Sequence, residues 1–129
     1  MCTRVTCLGP DGLVITGRSM DWFEDMSTEL WAFPRGMERD GAAGPRSVKW
    51  TSRCGSVVAS GYGIGTTDGI NEKGLVANML YLAEAEYPED DGERPTLCIA
   101  AWPQYVLDSF ATTAEVAAAP FAFFEAPAS

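Results

Sequence analysis

The sequence predicts one α+β domain in which strands come first and helices last. Segments rich in Val, Ile, Thr and aromatic residues follow one another between residues 2 and 87, separated by Gly, Pro and charged turns. After Pro95 the apolar residues take up helical spacing instead. Strands followed by helices are typical of an α+β layer arrangement, and 129 residues with 47% hydrophobic content are enough for a single core.

An N-terminal β-hairpin is the first predicted element. Residues 2–8 and 13–22 have the composition of strands, and the GPDG between them is a strong turn signal. Pro10 suits the second position of a type I turn, Asp11 the third, and Gly12 the left-handed residue that follows.

The length of this loop sets the register of the hairpin. It pairs Gly9 with Leu13, and counting outward places Cys2 opposite Met20. Because side chains alternate between the two faces, Arg18 is predicted to lie diagonally beside Cys2 on the same face. The register therefore brings a guanidinium group to a thiol.

The same register also determines where two further charged residues, Asp21 and Arg4, lie relative to Cys2 and Arg18. Asp21 reaches the face of Cys2 only if the strand ends or bulges near Met20. Arg4 stands opposite Arg18, a like-charged pair that requires a carboxylate or solvent between the two groups.

The middle of the chain predicts further short strands and a second hairpin. Strand composition recurs at 30–34, 48–51 and 55–62. In GTTDGINEKGL, a strand that ends near Asp68 turns at 71–74 and returns over 75–87 as a half-buried strand.

The C-terminal part predicts two helices. The apolar residues of LCIAAWPQYVLDSF have helical spacing, and Pro103 either starts the second part of this helix or kinks it. Thr112 and Glu115 form a capping box for a short second helix.

Composition excludes several classes of function. The net charge of −9 argues against nucleic acid or anionic lipid as a partner, because most of the surface would repel either. The chain has no apolar run of about 18 residues and no signal-peptide pattern, so we expect a cytoplasmic protein without a membrane partner.

The cysteine pattern indicates neither a disulfide framework nor a metal site. Cys2, Cys7, Cys54 and Cys98 form no CxxC pair and have no regular spacing, and we expect no cofactor. The last three are expected to be small buried hydrophobic residues. A redox pair of Cys2 and Cys7 is disfavoured, because five residues along one strand place them on opposite faces.

Cys2 is the candidate nucleophile. The chain has no histidine, so the common Cys-His and Ser-His pairs are excluded. Removal of Met1 would leave Cys2 with a free α-amino group, whose pKa of roughly 7.7–8.0 suits a general base. Arg18 would stabilise the thiolate, and Asp21 could orient the ammonium or thiol group. Spacing alone also allows a structural Arg18–Asp21 ion pair and a merely buried Cys2.

Three motifs resemble one known family. MCTRVT at the N-terminus, GRSMDW at 17–22 and DGINEKGL at 68–75 occur in the order found in the choloylglycine hydrolase family, which includes penicillin V acylases and conjugated bile salt hydrolases. The resemblance extends through WPQYVLDSFAT. It implies a four-layer αββα sandwich of the N-terminal nucleophile hydrolase type and hydrolysis of a linear amide bond.

The resemblance also implies roles for individual residues. Cys2 would be the mature N-terminus and the nucleophile, and Arg18 and Asp21 match the pair that the family places beside it. Tyr81 falls on a position of the oxyanion hole that is tyrosine in penicillin V acylases and typically asparagine in bile salt hydrolases. The tyrosine favours the acylase branch.

The implied substrate is a small N-acyl amide, and the implied assembly is a homo-oligomer, a tetramer. Met20 and Trp22 are candidates to line an acyl or phenyl pocket, although such residues are more often simply core. The sequence does not distinguish penicillin V, bile salts, acyl homoserine lactones and other N-acyl amines beyond the preference that Tyr81 gives.

Members of the family are much longer than this chain. Residues 1–129 are therefore expected to be the N-terminal part of one amide hydrolase domain, with a second asparagine of the oxyanion hole and a further arginine lying beyond Ser129. The alternative is a truncated, inactive remnant or a binding module in which the hairpin is merely structural.

Overall fold

The computed structural model is a mixed fold of short strands and C-terminal helices, and it describes residues 2–87, 89–119 and 124–126. The strands are β1 (Cys2–Leu8), β2 (Val14–Met20), β3 (Leu30–Phe33), β4 (Glu38–Asp40), β5 (Lys49–Thr51), β6 (Ser56–Gly61), β7 (Gly65–Asn71), β8 (Val76–Asn78), β9 (Thr96–Cys98) and β10 (Phe124–Ala126). The helices are α1 (Trp102–Ser109) and α2 (Thr113–Ala118).

Four strands form the central sheet. They lie in the order β3-β6-β7-β8, and each neighbouring pair is antiparallel. β1 and β2 form a separate hairpin, β4 pairs with β5, and β9 pairs with β10 in parallel orientation. Sheets packed with helices confirm the predicted α+β class.

The N-terminal hairpin has the predicted register but a different turn. Cys2 pairs with Met20, as the loop length indicated. Asp11 and Gly12 have φ of 56° and 77°, so two consecutive residues are left-handed, as in a type I′ turn and not a type I turn. The I′ form prevails because its twist matches that of the flanking strands, and aspartate tolerates this region better than most residues.

Helix α1 covers one face of the central sheet. Leu107 is 0% exposed and Val58 1% exposed. Both approach Gly69 of β7, where an added Cβ would lie 2.6 Å from the Leu107 side chain and 2.8 Å from that of Val58. Glycine is therefore required at this position because the helix lies so close to the strand.

A polar cluster lies beneath the same helix. The fully buried carboxylate of Asp108 accepts hydrogen bonds from Trp50 Nε1 at 2.8 Å and Gln104 Nε2 at 2.7 Å. Arg39 Nε lies 3.2 Å from the same carboxylate. Gln104 in turn accepts from the hydroxyl of Thr66 at 2.7 Å. The buried charge is thus compensated, and α1 is joined to β4, β5 and β7.

The opposite face of the central sheet is largely uncovered within the described residues. Leu30, Val57 and Ile70 on this face are 79%, 51% and 47% exposed. The N-terminal hairpin approaches this face where Arg18 of β2 forms an ion pair with Asp68 of β7. The exposed apolar surface lies beside the region where the site is built.

A β-bulge interrupts the pairing of β6 with β7. Ala59 pairs with Asp68, but Ser60 pairs with Thr66, so β7 contains one extra residue, Thr67. The bulge allows Thr66 to face Gln104 while Asp68 faces the hairpin.

The second predicted hairpin is shorter than the sequence indicated. The return strand predicted over 75–87 is present only as β8, and residues 79–87 leave the sheet. The first strand of this hairpin, β7, is longer than predicted, since it continues past Asp68 to Asn71. Six residues of 79–87 line a cavity, four of them consecutive (79–82), so the apolar character of the segment reflects the cavity and not a strand. Strands β4 and β10 were not predicted. The helical spacing was wrong for Leu97 and Cys98, which lie in β9, because the main chain of 96–98 pairs with Gly41, Val48 and β10.

Both predicted helices are present, but the first begins later than the sequence predicted, since α1 starts at Trp102 after a 3-10 turn at Ile99–Ala101. Pro103 lies in the first turn of α1, so it starts the helix and does not kink it. The Thr112 hydroxyl accepts from the Glu115 N–H at 3.2 Å, which confirms the predicted cap of α2. Within the described ranges, neither helix has the length and apolar character needed to cross a bilayer.

The cysteines differ in burial. Cys54 is 7% exposed, as predicted, and Cys98 is only partly buried. Cys7 is exposed, so the prediction that it is buried was wrong. Its position in β1, opposite Ile15, lies on a face of the hairpin that is not covered by any described residues.

Candidate active site

The hairpin brings Cys2 and Arg18 to one face. Cys2 is the first residue of β1 and pairs with Met20, and Arg18 lies two residues before Met20 on the same face. Arg4, directly opposite Arg18, is exposed to solvent. The Arg18 side chain is 10% exposed and turns away to Asp68, which supplies the carboxylate that a like-charged pair requires.

Two main-chain N–H groups and a cation approach the thiol of Cys2. The N–H of Tyr81 lowers the pKa of the thiol most, and the N–H of Asp21 and the guanidinium of Arg18 lower it further, while partial burial opposes them. The pKa of Cys2 is therefore below its ordinary value, and more thiolate is present near neutrality.

The main chain of Asp21 reaches the site because β2 ends at Met20. Beyond the end of the strand, its main-chain N–H is directed to the thiol of Cys2. β2 thus ends here without a bulge, and a role for the Asp21 carboxylate stays a prediction.

Arg18 is held by groups of the central sheet. Its Nε lies 2.9 Å from a carboxylate oxygen of Asp68, and its guanidinium also donates to the main-chain oxygen of Met79. Asn78 Nδ2 donates to the same Asp68 oxygen at 2.9 Å. Sequence reasoning missed Asp68 as part of the site; the available signal was an acidic residue within the DGINEKGL motif.

Tyr81 presents its main chain and its ring in different directions. The N–H faces Cys2, whereas the residue as a whole is 63% exposed. Its ring packs edge to face on Trp22, with centroids 5.7 Å apart. Tyr81 therefore combines a hydrogen-bond donor at the thiol with an aromatic surface beside it.

An apolar cavity of about 520 Å³ opens next to Cys2. Met20 and Trp22, the two candidates from the sequence, both line it. Further apolar side chains come from 79–87, from the β6–β7 turn and from the segment before α1, including Leu80, Leu82, Ile64 and Ile99. The volume is within the range of roughly 300–1,000 Å³ that is usual for small-molecule sites.

Hydrogen bonds fix Trp22 at this cavity. Its Nε1 donates to the hydroxyl of Tyr62 at 2.8 Å, and that hydroxyl donates to the carboxylate of Glu24 at 2.6 Å. The hydrogen bond to Glu24 raises the pKa of Tyr62. Tyr62 also has φ of 55°, which is uncommon for a bulky residue. No local pattern indicated Tyr62 or Glu24, because the contact joins segments that are distant in the chain.

The arrangement supplies a nucleophile, hydrogen-bond donors and an apolar recess. A thiol with a lowered pKa is suited to attack a carbonyl carbon, and main-chain N–H groups are suited to bind the resulting oxyanion. Among the described residues, no group of three or more His, Cys, Asp and Glu side chains is placed to hold a metal ion.

Comparison with known proteins identifies the family. A family model described as linear amide C–N hydrolases, choloylglycine hydrolase family, matches residues 2–119. The chain belongs to this family. A penicillin V acylase from Pectobacterium atrosepticum is 51% identical to this choloylglycine hydrolase chain over 123 residues, which cover 88% of the chain and 33% of the relative.

Solved structures show that the family fold is present. A penicillin V acylase from Agrobacterium tumefaciens matches with 56% identity and a TM-score of 0.86, over 95% of this choloylglycine hydrolase chain and 40% of the other. A mutant conjugated bile acid hydrolase from Clostridium perfringens matches in fold, with 22% identity and a TM-score of 0.78, over 97% and 39% of the respective chains. The chain thus spans between a third and two fifths of the length of these relatives.

Proposed function

We propose that the protein hydrolyses the C–N bond of linear N-acyl amides and that Cys2, freed by removal of Met1, is its N-terminal nucleophile. The observation that carries this proposal is the position of Cys2. It is the first residue of β1, it lines an apolar cavity, and its thiol pKa is lowered by two N–H groups and Arg18. Membership of the linear amide C–N hydrolase family supports the same chemistry.

The first step acylates the thiol. The thiolate attacks the amide carbonyl carbon, a C–S bond forms, and the carbonyl π electrons move to oxygen. The Tyr81 N–H donates to this oxyanion, and one such donor is typically worth about 3–4 kcal/mol of transition-state stabilisation. The α-amino group of Cys2, carrying the proton of the thiol, delivers it to the leaving nitrogen. The C–N bond then breaks, the amine leaves, and a thioester remains.

The second step regenerates the enzyme. Water attacks the thioester carbonyl while the neutral α-amino group accepts a proton from it. The C–S bond breaks, its electron pair returns to sulfur as thiolate, and the acid departs. Arg18 stabilises the thiolate as a leaving group, and Asp21 orients the ammonium group.

The lining of the cavity favours a substrate with an apolar acyl group. Met20 and Trp22 line it, and Trp22 and Tyr81 form an edge-to-face pair that matches the flat ring of a phenoxyacetyl group. Two relatives described as penicillin V acylases favour this choice. A homo-oligomer and a cytoplasmic location are part of the proposal and follow from the family resemblance and the composition.

Serine substitution of two cysteines of β1 tests the nucleophile. We expect Cys2→Ser to lower kcat for a phenoxyacetyl amide by about 10³-fold or more, because loss of a nucleophile removes the covalent route. Cys7→Ser is the matched control, since Cys7 is exposed on the other face of the same strand. It should retain the wild-type rate.

Intact mass of the same preparations tests the processing of Met1. The active protein should lack the mass of one methionine and begin at Cys2. Hydrolysis at the wild-type rate by Cys2→Ser, or by protein that keeps Met1, would refute the proposal.

A second candidate function is binding without hydrolysis, as in an inactive remnant. The exposed apolar side chains of Leu30, Val57 and Ile70 favour it, because contiguous apolar surface commonly marks an interaction site. Correctly processed protein that binds a phenoxyacetyl amide but releases no acid over many hours would support this candidate instead.

A further inference from the structure

Asp68 connects the two sheets below the candidate nucleophile. One of its carboxylate oxygens forms an ion pair with Arg18 of the hairpin, whose Nε lies 2.9 Å away without hydrogen-bond geometry. The same oxygen accepts a hydrogen bond from Asn78 Nδ2 of the neighbouring strand β8 at 2.9 Å. The side chains of Arg18 and Asp68 are only 10% and 20% exposed. An ion pair shielded in this way constrains its partners more strongly than one on an open surface.

Arg18 carries this constraint to the segment that contains Tyr81. Its guanidinium donates to the main-chain oxygen of Met79, which directly follows Asn78. The Asp68 carboxylate therefore holds Asn78 directly and Met79 through Arg18. Two residues farther along, the N–H of Tyr81 faces the thiol of Cys2.

We propose that Asp68 is the positioning residue of this site: it fixes the Arg18 guanidinium beside Cys2 and, together with Arg18, fixes the 78–81 segment that presents the Tyr81 N–H. The inference rests on the proposed function of Cys2. Asp68 acts through Arg18 and Asn78, because those are the groups with which its carboxylate pairs.

Charge and position have opposite effects on the thiol, so an experiment can separate them. A carboxylate close to a thiolate disfavours ionisation, and removing its charge alone would lower the thiol pKa or leave it unchanged. Releasing Arg18 and Tyr81 would withdraw a cation and a hydrogen-bond donor and would raise the pKa. The other charged residues of this region, Arg4 and Asp21, stay unaltered in the test.

Two substitutions of Asp68 make the comparison. Asp68→Asn keeps an oxygen beside both Arg18 Nε and Asn78 Nδ2 and removes the charge. Asp68→Leu has a similar size and removes both acceptors. The readout is the pH dependence of iodoacetamide alkylation of Cys2, followed by mass spectrometry of the N-terminal peptide so that the other cysteines do not contribute.

We expect Asp68→Leu to raise the thiol pKa by about one unit and to slow alkylation at pH 7 about tenfold, because a nearby opposite charge typically shifts a pKa by 1–3 units. Asp68→Asn should alkylate at the wild-type rate or faster. Asp90→Leu is the matched control, because Asp90 is also ion-paired to an arginine but lies on an exposed loop. It should leave alkylation unchanged.

An unchanged or lowered thiol pKa in Asp68→Leu would overturn the inference. If that variant does not fold, Asp68→Glu decides, since it keeps the charge and displaces the carboxylate by one methylene. Slower alkylation of Asp68→Glu supports positioning, and an unchanged rate overturns it.

The readout does not require turnover, so the two proposals fail separately. A raised pKa in Asp68→Leu, combined with a wild-type protein that hydrolyses no phenoxyacetyl amide, would support the positioning role and refute the proposed function. Hydrolysis by the wild type, combined with an unchanged thiol pKa of Cys2 in Asp68→Leu, would support the proposed function and refute the positioning role.

Discussion

On the face of the central sheet that α1 covers, Val58 is 1% exposed and packs with the fully buried Leu107 of the helix, whereas on the other face Val57 and Ile70 are 51% and 47% exposed. These are the two faces of the same strands, and they meet opposite surroundings because side chains alternate. The helix-covered face supplies packing, and the face towards the hairpin supplies Asp68 and the site. Stability and chemistry can therefore be altered separately in this molecule.

Truncation of one apolar residue on each side of the central sheet should give the largest difference in stability between the two sides. We expect Leu107→Ala to lower the free energy of unfolding by about 2–5 kcal/mol, because it leaves a cavity between α1 and β7. Ile70→Ala should cost less than about 1 kcal/mol, since the side chain is already half exposed. Urea denaturation followed by circular dichroism measures both. Equal losses would show that the uncovered face is packed in solution.

Addition of one methyl group at a buried and at an open glycine should give a smaller difference in stability. Gly69→Ala would place Cβ 2.6 Å from the Leu107 side chain and should destabilise by about 1–3 kcal/mol. Gly17→Ala in β2 meets no atom within 4 Å and should change stability by less than about 0.5 kcal/mol. Matched thermal and urea unfolding of the two variants would test this. A neutral Gly69→Ala would mean that α1 can move away from the sheet.

The smallest effect is expected at Glu72, at the turn that ends β7. Arg35, followed by the N–H of Gly55, lowers the pKa of this carboxyl from 4.5 to about 2. Because the folded pKa is the lower one, the carboxylate stabilises the fold above pH 4.5, and this contribution is lost as pH falls towards 2. Glu72→Gln should therefore be less stable than the wild type at pH 7 and should match it near pH 2. A stability difference that is independent of pH would contradict this assignment.

The sequence was most informative where distance along the chain determines geometry. The GPDG loop has a fixed length, so the pairing of Cys2 with Met20, and hence the proximity of Arg18, followed by counting. Asp68 could not be found this way, because its contact with Arg18 depends on how the hairpin is placed against another sheet. No local pattern encodes that placement.

Local patterns also misled where tertiary contacts satisfied them differently. The apolar residues of 79–87 line a cavity and form no strand ladder. Cysteine is usually a buried residue type, yet Cys7 is exposed, because no described residues cover its face of the hairpin. Periodicity states which residues share an environment, but it does not state what provides that environment.

Thr66 and Asp68 are two residues apart, and in a regular strand they would point the same way. The extra residue between them reverses this parity, so one strand sends a hydroxyl towards Gln104 and a carboxylate towards Arg18. If residues 66–68 instead paired regularly, Asp68 would face α1 beside Thr66, close to the buried Asp108 carboxylate and away from Arg18. Removal of Thr67 would have a different result, because Thr66 and Asp68 would become neighbours in the strand and would still point to opposite faces. An odd number of residues between the two side chains thus places them on one face only in a regular strand, and the bulge is what lets this strand serve both sides of the sheet.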